Sequence, residues 1–451
     1  MHASGKTRGL TYTRGVTVSA DNTKPNILFI MADDLGYADL GCYGQRAFET
    51  PNLDALAAQG ILLTQGYANS SVCSATRTAL ITGRYQYRLP VGLEEPVGKA
   101  DQPGLPAGHP TLPSLLRLRG YRTALIGKWH LGSIIEDGPL QHGYDYFFGM
   151  SGGAADYFTH RLDIAGQMPN DGLYVNGQRV ERSGYLTDLL GDEAVGCIER
   201  PDPAPIFVSL HFNAPHWPWE GPGDEAVSMS LTNIRHMDGG NLATYARMVR
   251  SMDANIGRVL GAIEKRGLTR DTIVVFTSDN GGERFSDNWP FVGVKGELLE
   301  GGLRVPLILR WPRRIPPGGR SEQVMTSMDF LPTLLAAAGG APDPAFAPDG
   351  ENLLPVLLGE EPPHPRKLFW RFKANGQRAM RDGDWKYLQL GGREYLFNLA
   401  QDARERADLK ERHPGTFARL RAEYDAWDRT MLPYPPASYS EDIKDVYVDR
   451  Y

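Results

Sequence analysis

Four short stretches of this chain carry side chains able to hold a cation or move a proton: Asp33-Asp34, Lys128 with His130, His216, and Asp279-Asn280. Asp33, Asp34, Asp279 and Asn280 offer only oxygen donors, the set preferred by hard cations such as Ca²⁺ or Mg²⁺ over Zn²⁺. Taken alone, each of these pairs also reads as an ordinary turn sequence after a strand. Cys73 opens the segment CSATRTALITG, in which Arg77 lies four residues on and shares a helical face with it. A side chain at a helix N-terminus meets unpaired N–H groups and the positive end of the dipole, which favour an anion. An isolated cysteine there equally reads as a small buried apolar residue. Lys295 adds another cation, in a segment that by itself would suit a solvated loop.

These residues follow apolar runs. Candidate strands are 26–31, 123–126, 206–212, 272–278 and 306–310, several with no polar alternation, as expected of strands buried on both faces. Asp33-Asp34 follow the first, Lys128 and His130 the second, His216 the third and Asp279-Asn280 the fourth. In an open α/β sheet ligands bind beyond the carboxyl ends of the strands. Helices are expected from Thr50-Pro51 to Gly60 and over about 242–266. The fold class is therefore α/β, a sandwich with a large, mostly parallel central sheet flanked by helices. After the proline cluster 362–365, four short strand-like pieces over 367–398 turn at Asn375-Gly376, Asp382-Gly383 and Gly391-Gly392. A helix over about 414–429 follows. The expected organisation is an N-terminal extension (1–24), a catalytic domain (25–361), a C-terminal antiparallel-sheet subdomain with one helix (362–431) and an arm (432–451).

The chain has 451 residues, 41% of them apolar and 23% charged, with a net charge of −6, so it is a folded chain with no global field to draw nucleic acid or an anionic membrane surface. Any anion site must be local. Three cysteines, Cys42, Cys73 and Cys197, argue against a disulfide framework. The first 24 residues lack the apolar run of a signal peptide or anchor, and the expected compartment is cytoplasmic. The aromatic, proline-rich arm suits packing on a neighbouring subunit in a homo-oligomer, or equally folding back on its own chain.

Together the motifs resemble those of type I sulfatases of the alkaline phosphatase superfamily. They are NILFIMADD (26–34), TPNLD (50–54), CSATRTALITG (73–83), GKWH (127–130), APH (214–216), SDNGG (278–282) and Lys295 through EGGLRVP (300–306). RDGDWK (381–386) and LFNL (396–399) resemble the family's C-terminal subdomain, and the likeness runs from Pro25 to Asp408. The resemblance implies an alkaline-phosphatase-like sandwich and hydrolysis of small-molecule sulfate esters. It also implies one Ca²⁺ per chain, with Mg²⁺ or Mn²⁺ as fallback, held by Asp33, Asp34, Asp279, Asn280 and residue 73. A maturation enzyme would oxidise Cys73 to formylglycine. The family's usual pattern is Cys-x-Pro-x-Arg, whereas Ala75 stands at the proline position here; Cys73 and Arg77, the main recognition elements, are retained.

In that reading the hydrated formylglycine attacks sulfur and Asp279 takes its proton. His216 with Lys295 serves the leaving oxygen, and His130 takes the second proton. Arg77, Lys128 and Lys295 offset the sulfate charge. A phosphonate monoester or phosphodiester hydrolase of the same superfamily is the nearest rival, and a non-catalytic binder of sulfated ligands is another. The loops 138–182 and 221–241 are expected to shape the leaving-group pocket without naming its occupant.

Overall fold

The computed structural model describes residues 24–98, 102–164 and 171–442. Residues 1–23 of the expected extension 1–24 and the arm's last residues, 443–451, lie outside them. The large sheet is formed by β1 (Asn26–Ala32), β2 (Ile61–Tyr67), β3 (Arg122–Lys128), β4 (Tyr146–Met150), β5 (Leu173–Val175) and β6 (Gln178–Val180). It is completed by β7 (Ile206–His211), β8 (Thr272–Ser278), β9 (Arg304–Arg310), β10 (Gly319–Ser321) and β11 (Met325–Thr326). Its order is β10-β2-β9-β8-β1-β7-β3-β4-β5-β6, with β11 also on β2. The run β8-β1-β7-β3-β4 is parallel, as expected for a sheet covered on both faces. Along β1 the side chains alternate between two cores. Leu28 and Ile30 face the layer that contains the helices Leu186–Glu199 and Leu242–Lys265, while Ile27, Phe29 and Met31 face the layer of Leu112–Leu118 and Phe330–Ala337.

Strand β9 departs from the parallel run, being antiparallel to both β2 and β8. Pro306 lies inside it and has no N–H for a ladder, but the pairing with β2 shifts register between Leu63 and Gly66, opposite that residue. A bulge of this kind is where an internal proline is tolerated. The segment 138–182, expected as loop, contains β4, β5 and β6.

The expected C-terminal pieces form a second, antiparallel sheet of β12 (Lys367–Phe372), β13 (Gln377–Asp382), β14 (Trp385–Leu390) and β15 (Arg393–Asn398), covered by the helix Pro414–Asp428. Its inner face shares one apolar cluster with the first sheet: Leu368, Trp370 and Phe372 pack with Tyr67, Val72 and Ala75. Lys386 of β14 is fully buried, its Nζ 3.0 Å from Glu300 and 2.8 Å from Glu405. The described arm residues 432–442 lie against their own chain. Leu432 N–H donates to the Tyr87 carbonyl (3.0 Å), Glu95 N–H to that of Tyr439 (3.0 Å), and Glu441 N–H to that of Glu95 (2.7 Å). No disulfide joins the three cysteines. No helix among the described residues is long and apolar enough to cross a membrane.

Candidate active site

Sheet register assembles the site. Ala32 pairs with Ser278, so Asp33-Asp34 and Asp279-Asn280 leave adjacent strand ends side by side. Gly127 pairs with His211, which brings Lys128 beside the end of β7. A Cβ at Gly127, which has φ +112°, would run into the His211 carbonyl, so only glycine fits there. Asp34 and His130 hold φ of 63° and 60°, a strained backbone of the kind that persists where packing over-determines it. Cys73 is the first residue of the helix Cys73–Thr82 and is buried over this rim.

Three buried ion pairs surround Cys73. Lys128 Nζ lies 2.6 Å from Asp33 Oδ2 and Lys295 Nζ 2.7 Å from Asp34 Oδ2. Arg77 donates from Nε (3.1 Å) and Nη2 (2.9 Å) to Asp279 Oδ2, and from Nη1 to the Lys128 carbonyl (3.1 Å). Asn280 Nδ2 donates to Asp34 Oδ1 (2.7 Å). Two oxygens, Asp33 Oδ1 and Asn280 Oδ1, are buried without any hydrogen-bond partner. Burial and then Asp279 push the Asp33 carboxyl well above its usual range, Lys128 offsetting only part of this. Asp33, Asp34, Cys73 and His216 each bring one ligand atom within 4.8 Å of the others. Asp279 lies outside that group of four, its Oδ2 committed to Arg77.

The two histidines are fixed as tautomers. His130 Nε2 lies 2.6 Å from the Val97 carbonyl, which can only accept, so Nε2 carries the proton and Nδ1, buried without a partner, keeps its lone pair. By the same logic His216 Nδ1 donates to the Trp217 carbonyl (2.7 Å), and its Nε2 faces Asp34 Oδ2 at 3.5 Å. Burial, reinforced by Lys128 and Arg77 for His130 and by Lys295 and Lys128 for His216, holds both well below 6.5. Lys295 stays protonated despite burial because Asp34 faces it.

A sulfatase family model matches residues 25–341, which is most of the chain. The chain belongs to the sulfatase family. A second model, the C-terminal region of N-sulphoglucosamine sulphohydrolase, matches 295–412 of this sulfatase. It is 30% identical to mouse arylsulfatase J, over 93% of this chain and 78% of that one. It is 33% identical to human N-acetylgalactosamine-6-sulfatase, over 76% and 68%. The crystal structure of Ps i-CgsB in complex with k-i-k-neocarrahexaose superposes with a TM-score of 0.84 at 31% identity, over 93% and 95% of the two chains. A phosphonate monoester hydrolase of Agrobacterium radiobacter shares the fold alone, at 23% identity and a TM-score of 0.66. The protein is an enzyme that hydrolyses sulfuric esters.

The structure of this sulfatase brings together Asp33, Asp34, Cys73, Arg77, Lys128, His130, His216, Asp279, Asn280 and Lys295. It also holds residues that the motifs did not point to. His211 Nδ1 lies 3.3 Å from Arg77 Nη1; burial and then Arg77 lower it to about 3, so it is neutral. Its place at the end of a fully buried, mostly apolar strand was the available signal. Glu283 lies 3.8 Å from Lys295, and burial raises it to about 8. The pocket above Cys73, about 320 Å³, is walled by Trp217 and Arg235 and, from the arm, by Tyr439 and Glu441. No local pattern marks those last two, which reach the pocket only through long-range folding.

Proposed function

We propose that this enzyme hydrolyses sulfate monoesters with residue 73 as formylglycine and with Ca²⁺ held by Asp33, Asp34, Asp279 and Asn280, Mg²⁺ or Mn²⁺ being the fallback. The observation that carries the reading is the convergence of three compensated ion pairs on a buried Cys73. As a thiol, Cys73 is pushed by burial up to about 12, which makes it a poor nucleophile at neutral pH. The residues fit a hard cation: two buried oxygen acceptors stand unpaired, and Asp33 keeps a raised affinity for positive charge. Such a cation, when bound, shares the charge of Asp33 and Asp34 and polarises a sulfuryl group, so the paired lysines present net positive charge to the ester. Formylglycine, as its hydrate, supplies one hydroxyl to attack sulfur and a second that permits release by C–O cleavage.

The remaining work belongs to the chain's own side chains. Arg77, held by Asp279, and Lys128 and Lys295 receive the sulfate oxygens and the charge that develops on them. Asp279 Oδ1, which accepts from the Asp34 N–H at 3.3 Å, is the acceptor for the proton lost on attack. Lys295, which stays protonated beside the neutral His216, delivers positive charge or a proton to the departing oxygen. His130 Nδ1 accepts the proton given up when sulfate leaves. The same proposal includes a formylglycine-generating enzyme that acts on the segment 73–77, and the domain division at 361/362.

The test joins mass and rate. The tryptic peptide containing residue 73 should show the mass loss for replacing CH₂SH by an aldehyde, and turnover of 4-nitrophenyl sulfate should rise with the converted fraction. Cys73→Ser, with a single hydroxyl, should accumulate the sulfated serine and nearly stop turnover. Full activity with an unmodified thiol at 73 would defeat the proposal.

A further inference from the structure

The pocket lining mixes two chemistries. It includes the apolar side chains of Trp217, Leu162 and Ile234 and the ion pair of Arg235 and Glu441, whose Nη2 and Oε1 are 3.1 Å apart. Arg235 is 38% exposed and Glu441 17%, which sets the pair at the rim, whereas Cys73 lies on the floor at 2%. A second cavity of about 540 Å³ shares Gln102 and Tyr439 with the first and continues along the arm between Lys373, Asn375, Ser438 and Asp442.

The arm is firmly seated. Glu95, fully buried, accepts from Lys373 N–H (2.8 Å), the Ser440 hydroxyl (2.8 Å) and the Tyr434 hydroxyl. Glu94 accepts from Tyr439 N–H (2.8 Å) and Gln102 Nε2 (2.6 Å). The same loop places Val97, whose carbonyl holds His130.

We propose that the ester's leaving group is a saccharide, with Trp217 covering its apolar ring face and Arg235 and Glu441 reading its hydroxyls. The arm is the wall that confers this preference. The inference rests on the sulfate-ester reading of the same site. A guanidinium beside a carboxylate offers a donor and an acceptor together, which a row of hydroxyls satisfies. A flat aryl or steryl group would cover that pair without replacing the water it loses, at a cost in free energy. The polar continuation past Gln102 and Tyr439 accommodates a further sugar.

The experiment uses the full-length, mass-verified formylglycine enzyme. Its substrates are 4-nitrophenyl sulfate, a steroid 3-sulfate, and a panel of mono-O-sulfated galactosides, glucosides and N-acetylhexosaminides carrying sulfate at each position in turn. At least one saccharide should exceed both other esters in kcat/KM by tenfold. Arg235→Ala and Glu441→Gln should each lower the saccharide-to-aryl ratio of kcat/KM at least tenfold, chiefly through KM. Equal losses on both substrate classes would mark the pair as structural and overturn the inference, as would a panel in which no saccharide beats the aryl ester. Absence of turnover of every ester, 4-nitrophenyl sulfate included, would instead remove the function proposed for the site and this inference with it.

Discussion

Lys386→Met removes a fully buried ammonium from between Glu300 and Glu405 while keeping much of the side-chain volume. Against burial, Lys386, then Arg304 and Arg381, hold Glu300 down to about 2. Burial raises Glu405 to about 7 even with Lys386 present. Deleting one partner of a buried pair costs about 3–5 kcal/mol. With 451 residues and an unfolding entropy of about 2.1 cal/mol/K per residue, that is a fall in melting temperature of about 3–5 °C. The loss depends on pH, and its sign follows from Glu405. A carboxyl whose folded pKa lies above its unfolded value of 4.5 contributes stability that is full below that value and is lost as pH rises through about 7. Without Lys386 that folded value climbs further, so the variant should lose more near pH 8 than near pH 5.5. Lys386→Met combined with Glu405→Gln should recover part of the loss at pH 8. Thermal unfolding at the two pH values is the assay. Equal losses at both, or less than about 1 °C at pH 8, would refute the reasoning.

Ala75→Pro should convert to formylglycine at least as fully as the parent and unfold within about 2 °C of it, because position 75 lies in the first helical turn, where an N–H has no intrahelical partner; peptide mass and melting temperature check this. Asp33→Asn should cut affinity for Ca²⁺ at least tenfold, and chelation of the parent should abolish turnover until Ca²⁺ returns; calorimetric titration and rate assays read both, and stoichiometric zinc with full activity would count against the assignment. Gly153→Ala places a Cβ about 2.6 Å from His130 Cε1, so kcat should fall at least tenfold while the fold persists, as followed by circular dichroism.

The strands that bear the motifs were legible because β1, β7 and β8 are buried on both faces and so are mostly apolar, and because charged or amide residues follow their ends. β2 was not legible: Thr64, Gln65 and Gly66 break its apolar run where its pairing with β9 shifts register. The direction of β9 was equally hidden, since Val305 to Arg310 reads the same whichever way its neighbours run. Most catalytic candidates sit within a residue or two of strand ends, or in one helical turn, where local chemistry marks them; His216, five residues past β7, and Lys295, between β8 and β9, were marked only by the joint motif pattern. Tyr439 and Glu441 reach the pocket because the Tyr439 N–H and Ser440 hydroxyl donate to the Glu94 and Glu95 carboxylates and the Glu441 N–H to the Glu95 carbonyl, more than 340 positions away, and no periodicity reports such contacts.

The burial of Cys73 also sets an order of events. Its side chain is enclosed by its own helix, by Lys128 and Lys295 on segments made later, and by a pocket whose outer wall is residues 439–441. In the conversion proposed above, a catalyst must reach this sulfur, and the folded chain encloses it. On that proposal the sulfur is reachable from the time position 77 is made until the later segments that enclose it, β3, β8 and the arm, have packed. Retarding folding after residue 77 should therefore raise the converted fraction, and protein refolded with its thiol intact should resist conversion afterwards.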